Sequence, residues 1–291
     1  MDVIKAILAG LIQGITEFLP ISSSGHLSLF AHFSGLDGGN SGLFSAMLHI
    51  GTLVAILLMF YRPIYELFEE VFKIIKDISD KKFSFKLKEM SDTRRMFFMF
   101  VLSCVPLLIL LIPVGDGKNL MDLVSVFSTD DSIRAEGICF MFTGFMLLLG
   151  AFTSEKIIRH RKITPRTAVL IGIAQLFAAC FPGISRSGST ISTALSCRVS
   201  KNNAVRYSFI LSVPAILASG IVEFKGAMES TEIVPVFPLL VGIITSAVVG
   251  VFAIKLLQVI IKKNLFKYFG YYCLGLGFIV TIISAVEVFV K

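Results

Sequence analysis

Two short polar stretches interrupt otherwise apolar sequence and hold most of the residue types that could do chemistry. The first runs from Gln13 to His26 (QGITEFLPISSSGH), and the second runs from Gln175 to Ser189 (QLFAACFPGISRSGS). Together they contain a glutamate, an arginine, a histidine and clustered serines. An ionised side chain at the centre of a membrane helix costs about 3 kcal/mol unless it is paired or solvated, so these residues indicate a functional site.

The two stretches are versions of one another. An offset of 162 residues aligns Gln13 with Gln175, and after the additional Gly183 an offset of 163 residues aligns Ser24 with Ser187. A duplicated polar loop inside a hydrophobic protein is typical of a membrane site that lies between two structural repeats.

Both stretches contain groups that could hold an oxyanion. The guanidinium of Arg186 presents a rigid fork of donors that suits phosphate or carboxylate. Helices that begin after Ser24-Gly25-His26 and after Ser187-Gly188-Ser189 would direct free backbone N–H groups and positive dipole ends at the same point. Phosphate is the ligand that fits this arrangement best.

The first stretch also supplies groups that can react. Ser22, Ser23 and Ser24 are candidate nucleophiles, although each could instead cap the helix that follows. His26 can titrate near neutral pH, so it is a candidate general acid or base. The spacing alone leaves open which of the three serines reacts.

Glu17 is the acidic residue of the first stretch. It is either a functional carboxylate or one half of a structural ion pair with Arg186. Gln13 lies one helical turn before it on the same face, so a carboxylate, an amide oxygen and substrate phosphates could bind Mg²⁺ or Ca²⁺. His49 aligns with Ser212 at the offset of 163, which predicts that it faces the site as a supporting residue or is a hydrogen-bonded histidine of the helix bundle.

The composition is that of an integral membrane protein. Of the 291 residues 55% are hydrophobic and 16% are charged, compared with roughly 25% charged residues in soluble domains. The mean hydropathy is +0.84. The net charge of +7 does not indicate nucleic-acid binding, because the basic residues cluster in short loops between apolar runs. Membrane lipids are therefore the expected surroundings.

The apolar runs of the sequence predict the helices that position the two polar stretches. Two apolar regions, 3–34 and 166–198, are broken in the middle by the polar stretches. Their arms are too short to cross a bilayer twice, which predicts re-entrant helical hairpins. We also expect six transmembrane helices near 43–61, 94–114, 136–152, 204–224, 235–257 and 267–289.

The distribution of basic residues predicts the orientation. Twenty of the 27 lysines and arginines lie in loops 62–95, 153–166, 198–206 and 258–267, which we assign to the cytoplasm. Both termini are then outside. A first repeat (1–152) and a second repeat (153–291) each contain one hairpin and three spans. Because each repeat has an odd number of spans, the second repeat is inverted relative to the first. The two hairpins then enter the membrane from opposite faces, and their tips meet inside it. The predicted fold is an all-α polytopic membrane protein with six transmembrane helices and two re-entrant hairpins in inverted-topology repeats.

The first stretch resembles the (Glu/Gln)-x-x-x-Glu and Ser-Ser-x-Gly-His signatures of the bacterial undecaprenyl-diphosphate phosphatases, the BacA/UppP family. PGISRSG, which ends at Gly188, is similar to the second signature of that family. The resemblance covers the whole chain. It implies hydrolysis of undecaprenyl diphosphate to the monophosphate carrier used in peptidoglycan synthesis, and thereby bacitracin resistance. It further implies a plasma-membrane enzyme, a possible homodimer, and an active site that opens towards the outer face.

The resemblance also implies roles for individual residues. Glu17 and Gln13 carry the acidic motif, Ser23 is the nucleophile, His26 is the acid or base, and Arg186 clamps the phosphate. Gln13 replaces a glutamate found in other members, which removes one possible metal carboxylate. The residues expected to contact the substrate are Gln13, Ser22, Ser24, Gly25, Ser185, Ser187 and Gly188.

Three alternatives follow from the same residues. A water molecule held by Glu17 could attack the phosphorus directly. A transporter or flippase for a polyprenyl phosphate lipid would also have inverted repeats and half-helix ends at its binding site. A type-2 phosphatidate phosphatase would need a nucleophilic histidine after Arg186, and none occurs in 187–291, which excludes that family.

Overall fold

The protein is helical almost throughout. The computed structural model describes residues 2–35, 41–84, 86, 89–115, 118–120, 133–155, 160–181, 183–229 and 235–290. The α-helices of this described part are α1 Val3–Thr16, α2 Ser23–Ser34, α3 Ser41–Met59, α4 Tyr61–Ser79, α5 Asp92–Cys104, α6 Arg134–Glu155, α7 Pro165–Cys180, α8 Arg186–Ser196, α9 Lys201–Glu229, α10 Val236–Lys262 and α11 Lys267–Val290. One short antiparallel pair, β1 Pro113–Gly115 and β2 Lys118–Asn119, was not predicted from the sequence.

Five helical segments are long and apolar enough to cross a membrane. A sixth results if α3 and α4, which meet at an angle of 84°, are counted as one span. Helices α1 and α7 are also apolar but contain 14 and 16 residues. At 1.5 Å per residue they reach about 21 and 24 Å, short of the roughly 30 Å hydrocarbon core. The chain is therefore a polytopic membrane protein. The five segments are Asp92–Leu111, Arg134–Glu155, Lys201–Ile221, Val236–Lys262 and Lys267–Glu287.

The span predicted near 94–114 is not one continuous α-helix. Helix α5 begins under a cap in which Ser91 Oγ accepts a hydrogen bond from Arg94 N–H, and it ends at Cys104. A 3₁₀ helix, Val105–Leu111, continues it and has Pro106 in its first turn. Proline lacks an N–H donor and its ring crowds the preceding turn, which accounts for the change of helix type at this point.

Helix α4 lies in the region assigned to the loop 62–95 and is amphipathic. Ile64 and Leu67 are buried, whereas aromatic side chains such as Phe68 and Phe72 are exposed. Arg94 fastens the helix to α5, because its guanidinium lies 2.6 Å from a carboxylate oxygen of Glu70 and 2.6 Å from one of Asp77. These two acidic residues lie on α4, which meets α3 at an angle of 84°.

Small residues allow the longest helices to approach closely. A methyl group at Gly277 of α11 would lie 2.5 Å from the carbonyl oxygen of Gly137 on α6, and one at Gly144 would lie 2.7 Å from that of Gly270. Helices α1 and α10 meet in the same way, since Gly14 faces the carbonyl oxygen of Ser246. Van der Waals contact between small residues is the usual source of helix association in lipid.

This packing predicts different effects on thermal stability when two glycines of α11 are replaced by alanine. Gly277→Ala should lower the thermal unfolding midpoint in detergent, because the added methyl overlaps α6 and overpacking costs about 1–3 kcal/mol. Gly275→Ala is the matched control, since a methyl there meets no atom within 4 Å. It should leave the midpoint unchanged or slightly raised. Equal losses in both variants would contradict the close α6–α11 contact.

Candidate active site

The first hairpin turns between α1 and α2 through residues 17–22. Ser22 is the N-cap of α2, and its Oγ accepts a hydrogen bond of 3.3 Å from Gly25 N–H. Its backbone has φ 73°, a conformation that is uncommon for a residue other than glycine. The capping role considered for Ser22 is therefore realised. Helix α2 begins at Ser23 and α8 at Arg186, so both begin earlier than the starts after His26 and Ser189 that the sequence predicted.

The second hairpin repeats this construction between α7 and α8. Ser185 caps α8 by accepting a hydrogen bond of 3.0 Å from Gly188 N–H. Thr143 of α6 holds the turn from the side: its hydroxyl donates to the carbonyl oxygen of Gly183 at 3.2 Å and accepts from Ser185 N–H at 3.1 Å. Gly183 has φ 89°, which glycine adopts without strain. Pro182 lies outside the described residues.

The two tips touch each other. A methyl group at Gly25 would lie 3.0 Å from Gly183 Cα and 2.6 Å from the Phe140 ring, and one at Gly188 would lie 3.1 Å from the carbonyl oxygen of Pro20. Glycine is thus required where the hairpins meet. The predicted meeting of the two polar stretches is present in the described residues.

Glu17 is at the centre of the contact and is buried. Its Oε2 accepts hydrogen bonds from the Ser23 hydroxyl at 2.6 Å and from Gln13 Nε2 at 3.1 Å. Its Oε1 pairs with Arg186 Nη2. The other terminal nitrogen of Arg186 donates to the carbonyl oxygen of Ser212 at 3.1 Å. A carboxylate from the first half of the chain is therefore neutralised by a guanidinium from the second half.

The Ser23 hydroxyl is directed at a base. Its proton points to the Glu17 carboxylate, the arrangement that general-base activation of a nucleophile requires. Ser23 is partly exposed, Ser24 is exposed, and 21% of the Arg186 side chain is accessible, so a ligand can reach all three. Ser187 is buried, and its Oγ lies 3.4 Å from that of Ser185.

His26 has both ring nitrogens engaged away from Ser23. Nδ1 lies 2.7 Å from the carbonyl oxygen of Ser22, an acceptor, so Nδ1 carries the proton in the neutral ring. Nε2 lies 2.8 Å from the hydroxyl of Tyr272 on α11. The edge of Phe140 packs on the ring at a centroid distance of 5.0 Å. The described contacts thus place Glu17, and not His26, against the Ser23 hydroxyl.

His49 faces the first hairpin, as its alignment with Ser212 indicated. Its Nδ1 lies 2.9 Å from the carbonyl oxygen of Ser45, and its Nε2 lies 3.8 Å from Glu17 Oε2. Ser212 occupies the matching place in the second half, where its carbonyl oxygen holds Arg186. Residues at equivalent positions of α3 and α9 therefore support the two charged groups.

The residues present do not fit a resident divalent cation at Glu17. Both carboxylate oxygens already accept hydrogen bonds, and one of them faces a guanidinium. Gln13 Oε1 is buried without a partner among the described residues, but a single amide oxygen is too few ligands to hold Mg²⁺ or Ca²⁺. The part of the chain that the structure describes contains no group of three or more histidine, cysteine, aspartate or glutamate side chains that could hold a metal ion.

Three contributors to the site were missed by sequence reasoning. Thr143 supports the second tip, the Ser212 carbonyl group holds Arg186, and Tyr272 holds His26. Tyr272 is 246 residues from its partner, and it belongs to an apolar helix in which nothing distinguishes it from neighbouring tyrosines. Each of these residues is distant in sequence from the group it contacts, so only the packing of the helices brings them together.

Comparison with known proteins extends along nearly the whole chain. Residues 6–279 match the family described as Bacitracin resistance protein BacA. The chain is 35% identical over 287 residues to an undecaprenyl-diphosphatase of Methanosphaera stadtmanae, with 98% of this chain and 99% of that protein covered. It is 36% identical over 281 residues to an undecaprenyl-diphosphatase of Treponema denticola, with 95% and 96% covered. The chain therefore belongs to the BacA family.

Proposed function

We propose that this chain hydrolyses undecaprenyl diphosphate to undecaprenyl phosphate and phosphate, the activity for which its relatives are named. The observation that carries the proposal is the continuous contact from Arg186 through Glu17 to the Ser23 hydroxyl. It joins a phosphate-binding cation, a base and a nucleophile at the meeting point of two hairpins. The product is the lipid carrier for peptidoglycan synthesis, so the reaction would recycle that carrier and confer resistance to bacitracin.

In the first step, Ser23 attacks the terminal phosphorus of the diphosphate. Glu17 takes the hydroxyl proton as Ser23 Oγ bonds to phosphorus, and the bond from phosphorus to the bridging oxygen breaks. Undecaprenyl phosphate leaves with the bonding electron pair. Arg186 and the N–H groups at the starts of α2 and α8 stabilise the charge that develops on the phosphoryl oxygens.

In the second step, water releases the phosphate from Ser23. The water oxygen bonds to phosphorus, Glu17 returns its proton to the departing Ser23 oxygen, and phosphate leaves with both hydrogen atoms of the water. Direct attack by a water molecule held by Glu17 is the other route that this geometry accommodates. His26 would act on the phosphate groups or on water, because its ring is held away from the Ser23 hydroxyl.

The proposed architecture has six spans and two re-entrant hairpins in inverted repeats, 1–152 and 153–291. The short α1 and α7, the matching serine caps at Ser22 and Ser185, and the charge distribution of the loops support it. The protein would lie in the bacterial plasma membrane with its site opening to the outer side. The substrate tail would lie among the lipids beside the bundle, and a homodimer is compatible with the exposed apolar helix faces.

A transporter or flippase is the less favoured alternative. Half-helix ends and a guanidinium would serve transport equally well. The short hydrogen bond from Ser23 to a buried carboxylate is the arrangement that nucleophilic attack requires, and it favours hydrolysis. Phosphate release by the purified protein separates the two functions.

Removing the nucleophile or its base should abolish turnover. Ser23→Ala and Glu17→Gln should each lower phosphate release from undecaprenyl diphosphate by about a thousandfold, because each removes a participant in bond formation. Thr153→Ala is the matched control, since that hydroxyl donates to the carbonyl oxygen of Leu149 in its own helix. A ³²P-labelled phosphoserine trapped by acid quench should be present in the wild type. Near-normal turnover of Ser23→Ala beside an inactive Glu17→Gln would favour direct attack by water.

Arg186→Lys tests the phosphate clamp. A lysine cannot reach both Glu17 and the Ser212 carbonyl oxygen in the way the planar guanidinium does, so kcat/KM should fall about a hundredfold. Arg206→Lys, at an exposed position of α9, should be neutral. Steady-state kinetics on both variants gives the comparison. A loss of less than threefold in Arg186→Lys would contradict the assignment of Arg186.

A divalent cation, Mg²⁺ or Ca²⁺, is proposed to arrive with the diphosphate and not to reside on Glu17. Calorimetric titration of the EDTA-treated protein with Mg²⁺ alone should therefore give no stoichiometric binding. Methylene diphosphonate should make binding of Mg²⁺ measurable, because two phosphonates supply the oxygen ligands that the cation prefers. Stoichiometric Mg²⁺ binding without the diphosphonate, if abolished by Glu17→Gln, would instead identify Glu17 as a resident ligand.

A further inference from the structure

Helix α2 is fixed to α6 and α11 by polar contacts on one of its sides. Ser28 Oγ donates to Glu136 Oε1 of α6 at 2.7 Å, and His32 Nε2 lies 3.0 Å from Glu287 Oε1 of α11. Glu136 is buried, so its contact with Ser28 is protected from solvent. The backbone of α2 is therefore held in place independently of the ring of His26.

The ring of His26 is held separately, between a carbonyl group and a phenol. Ser22 O accepts from Nδ1–H, which leaves the lone pair of Nε2 as an acceptor for the Tyr272 hydroxyl at 2.8 Å. The two rings are nearly parallel, at an interplanar angle of 9° and a centroid distance of 5.8 Å. Phe140 packs at nearly a right angle to the imidazole. His26 remains partly exposed, so substrate or water can still approach the ring.

The two ring nitrogens are oriented by partners from different parts of the chain. The Ser22 carbonyl oxygen, on the backbone of the same turn, fixes Nδ1, whereas the Tyr272 hydroxyl fixes Nε2. Tyr272 comes from a different helix and is itself anchored by the packing of α11 against α6. Without its hydroxyl, Nε2 would have no partner among the described residues.

We infer that Tyr272 is a positioning residue that acts through His26. It keeps the neutral imidazole with its proton on Nδ1 and holds Nε2 away from the Ser23–Glu17 hydrogen bond, so that Glu17 alone receives the serine proton. His26 stays available for the phosphate groups or for water. This inference rests on the role proposed for His26, but the contact itself can be tested without turnover.

The functional test is a double-mutant cycle with Tyr272→Phe and His26→Gln. Tyr272→Phe retains the ring packing and loses the hydrogen bond, so kcat should fall about fivefold to tenfold with little change in KM. In the His26→Gln background the same substitution should have no further effect, because the residue through which it acts is gone. Tyr271→Phe is the matched control: it removes the hydroxyl of the neighbouring, half-exposed tyrosine of α11.

The second measurement is ¹⁵N NMR of the histidine-labelled protein, with the His26 signals assigned by their loss in His26→Gln. The wild type should show protonated Nδ1 and a hydrogen-bonded, unprotonated Nε2. Tyr272→Phe should shift the Nε2 resonance towards that of a free lone pair, and Tyr271→Phe should not.

An unshifted Nε2 resonance in Tyr272→Phe would overturn the inference, as would equal losses of kcat in the wild-type and His26→Gln backgrounds. Full activity of His26→Gln would refute the role proposed for His26. The NMR result would still report separately whether Tyr272 holds the ring.

Discussion

A carboxylate buried in an apolar helix bundle needs a compensating charge, and in this protein the charge comes from the other half of the chain. Glu17 ends α1 and Arg186 begins α8, and the two side chains pair where the hairpins meet. Removing one partner of a buried ion pair leaves an uncompensated charge, which typically costs about 3–5 kcal/mol. The halves of the protein therefore have a strong electrostatic reason to dock in one relative position, and that position assembles the candidate active site.

Close backbone approach is what makes this pairing geometrically possible. Gly25 and Gly183 leave no room for a side chain where the tips touch. Ser22 and Ser185 end each turn with the same cap, in which the hydroxyl accepts a hydrogen bond from the glycine N–H three residues later. The same local construction is thus used twice. The reactive groups differ between the halves, since Arg186 occupies the position that corresponds to Ser23.

Much of this organisation could be predicted from the sequence because it depends on local and periodic features. The duplicated polar stretches, the apolar runs and the glycines identified the hairpins and the residues at their tips. The partner of the Ser23 hydroxyl could not be predicted, because Glu17 and His26 are both near it in sequence and the choice depends on side-chain rotation. Tyr272 was not predictable either, since its contact joins distant segments. The angle between α3 and α4 likewise depends on tertiary contacts, among them those of Arg94 with Glu70 and Asp77.

The sharing of Arg186 links phosphate binding to the proton affinity of Glu17. With the guanidinium engaged by Glu17 and the Ser212 carbonyl oxygen, the carboxylate is held in its charged form and has little tendency to withdraw a proton from Ser23. A phosphate group that takes over the guanidinium frees the carboxylate at the moment when a phosphorus atom is in reach. Substrate capture and activation of the nucleophile would then be a single event.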